Sequence, residues 1–224
     1  MRKNAAMAEN LIRSSIKTST YIVALCGASG SIYGIRLLKA LLERACHVIA
    51  IISDGGFRVM EYETGFKKNN DFADFLKVYL KNQGVNFHEK SSLEVLCQDD
   101  FSAAPASGSF LHSGMAIAPC SMKTLAGVAA GFADNLITRS ADVCLKEKRP
   151  LILVLRETPF NIIHLQNMTR LAEAGAVIMP ACPSFYSRPS SIDELADTVI
   201  ARILDHLNIE HDLVPRWDKP KSDM

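Results

Sequence analysis

The stretch Tyr21-Ile22-Val23-Ala24-Leu25-Cys26-Gly27-Ala28-Ser29-Gly30-Ser31-Ile32-Tyr33-Gly34 decides how the chain reads. Its first six residues form an unbroken apolar run. After the turn at 27–30, the spacing of Ile35, Leu38 and Leu42 across residues 32–44 is helical. An apolar run without polar alternation implies a strand covered on both faces, and a strand, glycine turn and helix in succession open a βαβ unit.

Working outward, the same rhythm returns. Residues 47–53, 115–118, 151–155 and 176–179 are further apolar runs read as covered strands, and residues 55–64, 123–130, 140–148, 160–174 and 192–207 carry helical spacing. The last helix is the clearest: Ser191 and Glu194 form a capping box, and Ile192, Leu195, Val199, Ile203 and Leu207 make one apolar stripe. Alternating strands and helices imply an α/β fold, a three-layer α/β/α domain around a parallel sheet. Residues 67–109 break the rhythm with polar clusters, one helix at 72–81 and the turn Pro105-Ala106-Ser107-Gly108-Ser109; the segment reads as an insertion. The expected organisation is an extension at 1–20, a single domain at 21–217 and a tail at 218–224.

Composition narrows the partners. The 224 residues are 48% hydrophobic with a net charge of +1, which argues against a nucleic-acid binder and for a small-molecule ligand. The six cysteines form no C-x-x-C pair, so neither a zinc site nor a secreted disulfide framework is expected, and a reducing cytoplasm fits best. No segment reaches the roughly 18–20 apolar residues that span a bilayer, and the N-terminal stretch lacks an apolar h-region.

In parallel sheets ligands sit beyond the carboxyl ends of the strands. The loop after the first strand pairs glycines, which allow close backbone approach, with serines that offer hydroxyls to an anion. Its spacing is not G-x-G-x-x-G, which favours a mononucleotide phosphate over a dinucleotide; on this loop alone a plain turn stands equal. Ser53 ends the second strand, Pro119-Cys120-Ser121-Met122-Lys123-Thr124 the third and Arg156-Glu157-Thr158-Pro159 the fourth. Ser121 and Thr124 suit helix capping, which is compatible with phosphate binding. A charge pair directly beyond a buried strand is costly unless it meets a ligand, so Arg156 and Glu157 read as functional. By their pattern alone, Lys146, Lys148 and Arg149 are a solvated helix end, Arg202 a surface arginine, Tyr186 a loop residue and Trp217 a tail anchor.

These stretches, with Asn135-Leu136-Ile137-Thr138-Arg139, Gly175 to Pro180, Phe185-Tyr186 and Arg216-Trp217, resemble the UbiX flavin prenyltransferases of the Rossmann-like flavoprotein superfamily, from about Tyr21 to Trp217. The resemblance implies a transferase that joins a dimethylallyl group from dimethylallyl monophosphate to N5 and C6 of reduced FMN without a metal. The product, prenylated FMN, would serve UbiD-type decarboxylases, in ubiquinone biosynthesis or aromatic-acid decarboxylation. It implies FMN binding by Gly27, Ala28, Ser29, Ser53, Ser121, Met122, Lys123, Thr124 and Arg156, and a grip on the donor phosphate by Arg139, Lys146, Tyr186 and Arg202. Ser29, Glu63 and Glu157 match positions tied to proton movement, with Ser29 a candidate partner of Glu157, and Trp217 matches an aromatic near the prenyl site. A homo-oligomer, commonly a dodecamer, with active sites shared between subunits is also implied. One departure from the family pattern is Asp54 after Ser53, where lysine is common. Two other readings are an FMN-dependent cysteinyl decarboxylase, for which no matching histidine and asparagine pattern is found, and a non-catalytic FMN-binding accessory subunit.

Overall fold

Parallel pairing organises the whole chain. The structure is a computed structural model and describes residues 19–67 and 70–216; Trp217, most of the extension at 1–20 and the tail at 218–224 lie outside the described residues. In chain order the elements are β1 Ser19–Leu25, α1 Ser31–Leu42, β2 Cys46–Ile52, α2 Asp54–Thr64, α3 Phe72–Lys81, β3 Ser92–Cys97, a 3₁₀ turn Ala104–Ala106, β4 Gly114–Cys120, α4 Met122–Ala129, α5 Leu136–Lys146, β5 Leu151–Leu155, α6 Ile162–Glu173, β6 Val177–Pro180 and α7 Ile192–His206. The six strands are all parallel in the order β3-β2-β1-β4-β5-β6.

The expected three-layer α/β/α arrangement is the one observed. Alternate residues of the central strands feed two cores. Val23, Leu25, Val48 and Val154 pack with α1, α3 and α7 on one face, while Ile22, Ala24, Ile117 and Leu153 pack with α4, α5 and α6 on the other.

Three sequence expectations are corrected. Residues 67–109 are more than an insertion, because they contribute β3 at the sheet edge. There Ser92 and Glu94 are exposed while Leu93 and Val95 are half-buried, an alternation that a search for doubly covered strands passes over. At the opposite edge β6 was read as covered on both faces, yet its residues are only half-buried to exposed, since an edge strand has one neighbour. Helix α5 begins at Leu136 rather than near residue 140, because Asn135 caps it: the Asn135 side chain accepts from the Thr138 amide and the Thr138 hydroxyl accepts from the Asn135 amide.

Two features hold α1 and α7 in place over the sheet. Arg36 pairs with Asp197 and with Asp193 at 2.8 Å, and the Arg36 and Asp197 side chains are each only 11% exposed, so losing either would strand a buried charge. Gly34 is the contact point of α1 with the strands: a Cβ there would stand 2.5 Å from the Ala118 carbonyl oxygen and 2.6 Å from Leu25. Gly34→Ala is therefore expected to lower stability by about 1–3 kcal/mol, the usual cost of forced overpacking. A urea unfolding midpoint equal to that of the parent would show that α1 can shift at no cost.

Candidate functional site

The sheet order reverses direction between β1 and β4, so the connections from these strands leave to opposite faces and a crevice opens beyond their carboxyl ends. Two backbone hydrogen bonds pin its rim, Cys26 N–H to the Pro119 carbonyl at 3.1 Å and Ser53 N–H to the Leu25 carbonyl at 3.0 Å. The crevice holds a cavity of about 680 Å³ whose lining includes Gly27, Ser53, Ser121, Lys123, Thr124 and Thr138. Its volume suits a ligand of nucleotide size, within the roughly 300–1,000 Å³ of small-molecule sites.

Helices α2 and α4 both start at this cavity. The Ser53 hydroxyl caps α2 by accepting from Gly56 N–H at 2.9 Å. The Ser121 hydroxyl caps α4 by accepting from Thr124 N–H at 3.3 Å and lies 3.1 Å from the Thr124 hydroxyl. Each cap satisfies one first-turn amide and leaves others for an anion, with the helix dipole in support. Gly27 and Gly55 back onto one another so closely that a Cβ on Gly27 would lie 3.1 Å from Gly55 Cα. Only glycine lets the loop after β1 approach α2 this way.

The start of α1 is arranged differently from the reading of its loop as a phosphate cradle. Gly30, in the left-handed region at φ 107°, and Ser31 give their amides to Glu63, which reaches back from α2 at 2.7–3.1 Å. A carboxylate of the chain itself therefore occupies the anion position at this helix. Partial burial of Glu63 opposes its charge, but hydrogen bonds from the Ser29 hydroxyl, the two amides and the Ser31 hydroxyl outweigh that and hold it below the ordinary glutamate value. Ser29 is thus paired with Glu63, whereas Glu157, the expected partner, accepts from the Thr158 amide at 3.0 Å. Ala28 is buried beneath the loop.

Arg156 stands at the end of β5, its Cγ 3.9 Å from where a Gly30 Cβ would be, and its Nε is buried with no hydrogen-bond partner among the described residues. A buried guanidinium donor without an acceptor is costly, so this nitrogen calls for an anionic or carbonyl oxygen. Together the unpaired Arg156 Nε, Lys123, two capped helix starts and a glycine-floored cavity fit FMN: phosphate oxygens for the amides and cations, ring carbonyls for the buried donor. Among the described residues no group of three or more His, Cys, Asp or Glu is placed to hold a metal ion.

The residues expected to grip a donor phosphate do not converge within one chain. Arg139 and Lys146 are on α5. Arg139 Nε donates to the Ala106 carbonyl at 3.0 Å and Nη1 to Asp142 at 2.7 Å, while Lys146 pairs with Glu147 beside Gly108. Arg202 is on α7 across the sheet, paired with Asp205 at 2.6 Å, and Tyr186 is 85% exposed in the loop before α7. Lys146 ends α5 just before β5 starts, so it lies toward the amino-terminal edge of the strands, away from the FMN-sized cavity.

The Flavoprotein family matches residues 10–204. Flavin prenyltransferase UbiX of Pseudomonas aeruginosa is 46% identical over 198 residues, covering 87% of this chain and 92% of its own. Among solved structures, AnUbiX (PadA1) in complex with FMN and dimethylallyl pyrophosphate superposes with a TM-score of 0.79 at 36% identity, covering 92% of this chain and 100% of that one. The dodecameric FMN-dependent UbiX-like decarboxylase from Escherichia coli O157:H7 gives 0.76 at 37% identity, covering 89% and 100%. The chain belongs to the UbiX family of flavoproteins.

For a UbiX-family chain, sequence reasoning named the glycine, serine and lysine side of the cavity but missed its far wall. Asn135 and Thr138 line it through the capping box of α5, whose N-x-x-T spacing was a legible signal. Gln98 had none, since β3 was not recognised. Its carbonyl accepts the Leu136 amide at 2.6 Å and its side chain donates to Asp54 at 3.1 Å, so it joins the starts of α2 and α5.

The Glu63 clamp carries a pH signature. Its native value is depressed, so the unfolded chain binds more protons in the acidic range; the contribution is complete at neutral pH and is lost as pH falls below about 4.3 and through the native value. Carboxyl NMR should place Glu63 below an ordinary glutamate and show Ser29→Ala raising it; an unperturbed Glu63 would remove the clamp.

Proposed function

We propose that the chain is a flavin prenyltransferase that joins a dimethylallyl group from dimethylallyl monophosphate to N5 and C6 of reduced FMN. The observation that carries this reading is the cavity at the strand-order reversal, where the α2 and α4 starts meet beside Gly27 and Ser53; the unpartnered Arg156 Nε, at the end of β5 near Gly30, adds a donor by the same strand ends. Reduced flavin, when bound, supplies the nucleophilic atoms.

The chain's own groups divide the remaining work. Ser53, Ser121, Met122, Lys123, Thr124 and Arg156 hold FMN with Gly27, Ala28 and Ser29 at its edge, and the rigid helix starts orient it without rearrangement. Arg139, Lys146, Arg202 and Tyr186 take the donor phosphate; the three cations, with a hydrogen bond from the Tyr186 hydroxyl, stabilise it as it leaves with the electrons of the broken C–O bond. Glu63 as it stands is a weak base, because four hydrogen bonds favour its charged form; a proton moves to it only when the bound substrates loosen them. Glu157 is the other carboxylate available for proton transfer, and Trp217 is the aromatic that would shelter the allylic group.

Since α5 and α7 lie on opposite faces, the donor site needs a neighbouring subunit, which supports a homo-oligomer of the dodecameric kind with shared active sites. Phe160, Ile162, Ile163 and Leu165 at the start of α6 and Phe185 are exposed apolar groups suited to such contacts. Delivery of prenylated FMN to a UbiD-type decarboxylase and a cytoplasmic location complete the reading.

Anaerobic incubation of the assembled protein with reduced FMN and dimethylallyl monophosphate, with the diphosphate in parallel, is expected to give prenylated flavin by mass and an equivalent of released phosphate. Unchanged flavin with both donors would overturn the proposal. Lys146→Ala and Arg139→Ala should lose turnover by a hundredfold or so, the scale of a lost transition-state charge contact, while still binding FMN; full activity would favour a mere flavin carrier. In Ser29→Ala, retained FMN binding with stalled ring closure would assign the hydroxyl to chemistry, and lost binding to anchoring.

A further inference from the structure

After α7 the chain doubles back, and one carboxylate of α7 gathers Arg202 of the helix with Arg216 of the returning segment. Asp205 Oδ2 accepts from Arg202 Nη1 at 2.6 Å. Its Oδ1 accepts from Arg216 Nη1 at 2.6 Å and lies 3.1 Å from His211 Nε2. The Asp205 side chain is 18% exposed and that of His211 only 1%, whereas those of Arg202 and Arg216 are 63% and 52% exposed. From the other side, Arg44, two residues past the end of α1, donates to the Glu210 carbonyl at 3.0 Å and fixes the segment that carries His211.

This is more machinery than a structural tie requires. A surface ion pair contributes little to stability, and two guanidinium groups on one carboxylate repel each other. The arrangement leaves an excess positive charge, and Nε and Nη2 of Arg202 take no acceptor among the described residues. The arginine fork suits bidentate binding of a phosphate, and a bound anion would relieve the repulsion. The cluster also lies where the donor site is expected: a Cβ on Gly114, at the start of β4, would be 2.7 Å from Leu207 Cδ2, so the end of α7 sits toward the same amino-terminal strand edge as Lys146.

We propose that Arg216 is a second arginine of the donor-phosphate site and that Asp205 is the positioning residue that pairs it with Arg202. The proposal rests on the prenyltransferase reading. Asp205 touches no reacting atom; it lowers the freedom of two long side chains before the phosphate arrives, so that less entropy is lost on binding. The buried His211 ring and the Arg44 contact keep the returning segment in register with α7.

The test uses the assembled full-length protein with reduced FMN and dimethylallyl monophosphate. Asp205→Asn and Arg216→Ala are each expected to raise KM for the donor by about tenfold, the weight of one charge-assisted hydrogen bond. FMN affinity and oligomer size should stay at parental values. Inorganic phosphate should weaken as a competitive inhibitor in parallel, and Arg216→Lys should restore part of the loss. An unchanged donor KM in both variants would overturn the proposal. So would an equal loss of FMN binding or of assembly, which marks a merely structural carboxylate. If the parental protein itself makes no prenylated flavin, the functional reading fails first, and that result is distinct from a variant that matches an active parent.

Discussion

The structure depends above all on β1 lying parallel against β4. At that pairing the connections change sides, α1 going to one face and α4 to the other, and among the described residues a cavity opens beyond the strand ends. The hydrogen bond from Cys26 to Pro119 carries that pairing past the end of β1, and the one from Ser53 to Leu25 does the same for β1 and β2. Close approach then dictates composition: Gly34 lies against the Ala118 carbonyl and Gly27 against Gly55 because a Cβ at either place would meet backbone.

Electrostatics divides the labour around the crevice. Four helices, α1, α2, α4 and α5, begin near it, and each presents amides that favour a negative group. The start of α1 is satisfied internally by Glu63, whose depressed value records how strongly the amides and hydroxyls of residues 29–31 hold its charge. The starts of α2 and α4 are only partly satisfied by their serine caps, and they line the cavity together with the capping box of α5. A ligand anion and the internal carboxylate therefore do not compete for one position. The buried, unpaired Arg156 Nε marks where a ligand acceptor belongs.

The cations outside this crevice follow a different logic. Arg139 and Lys146 ride on α5, Arg202 on α7, and the sheet separates them. The carboxylates beside them, Asp142, Glu147 and Asp205, hold the exposed side chains in fixed orientations. In a single chain these are three separate surface pairs.

By itself the sequence determined the layer order, the two core faces and the serine, glycine and lysine groups at the strand ends. These follow from local apolar runs, helical spacing and turn chemistry, which a linear pattern records directly. The edge strand β3 escaped because its half-wetted alternation is short and polar, and the early start of α5 because a capping box outweighed the apolar run used to place it. Only the tertiary structure decided that Glu63, thirty-three residues from Gly30, fills the anion position of α1, that Gln98 joins two helix starts, and that Asp205 gathers Arg202 with Arg216. Such pairings depend on where the folded sheet returns the chain, and nothing in the spacing of residues along it encodes which distant side chain will meet a given amide.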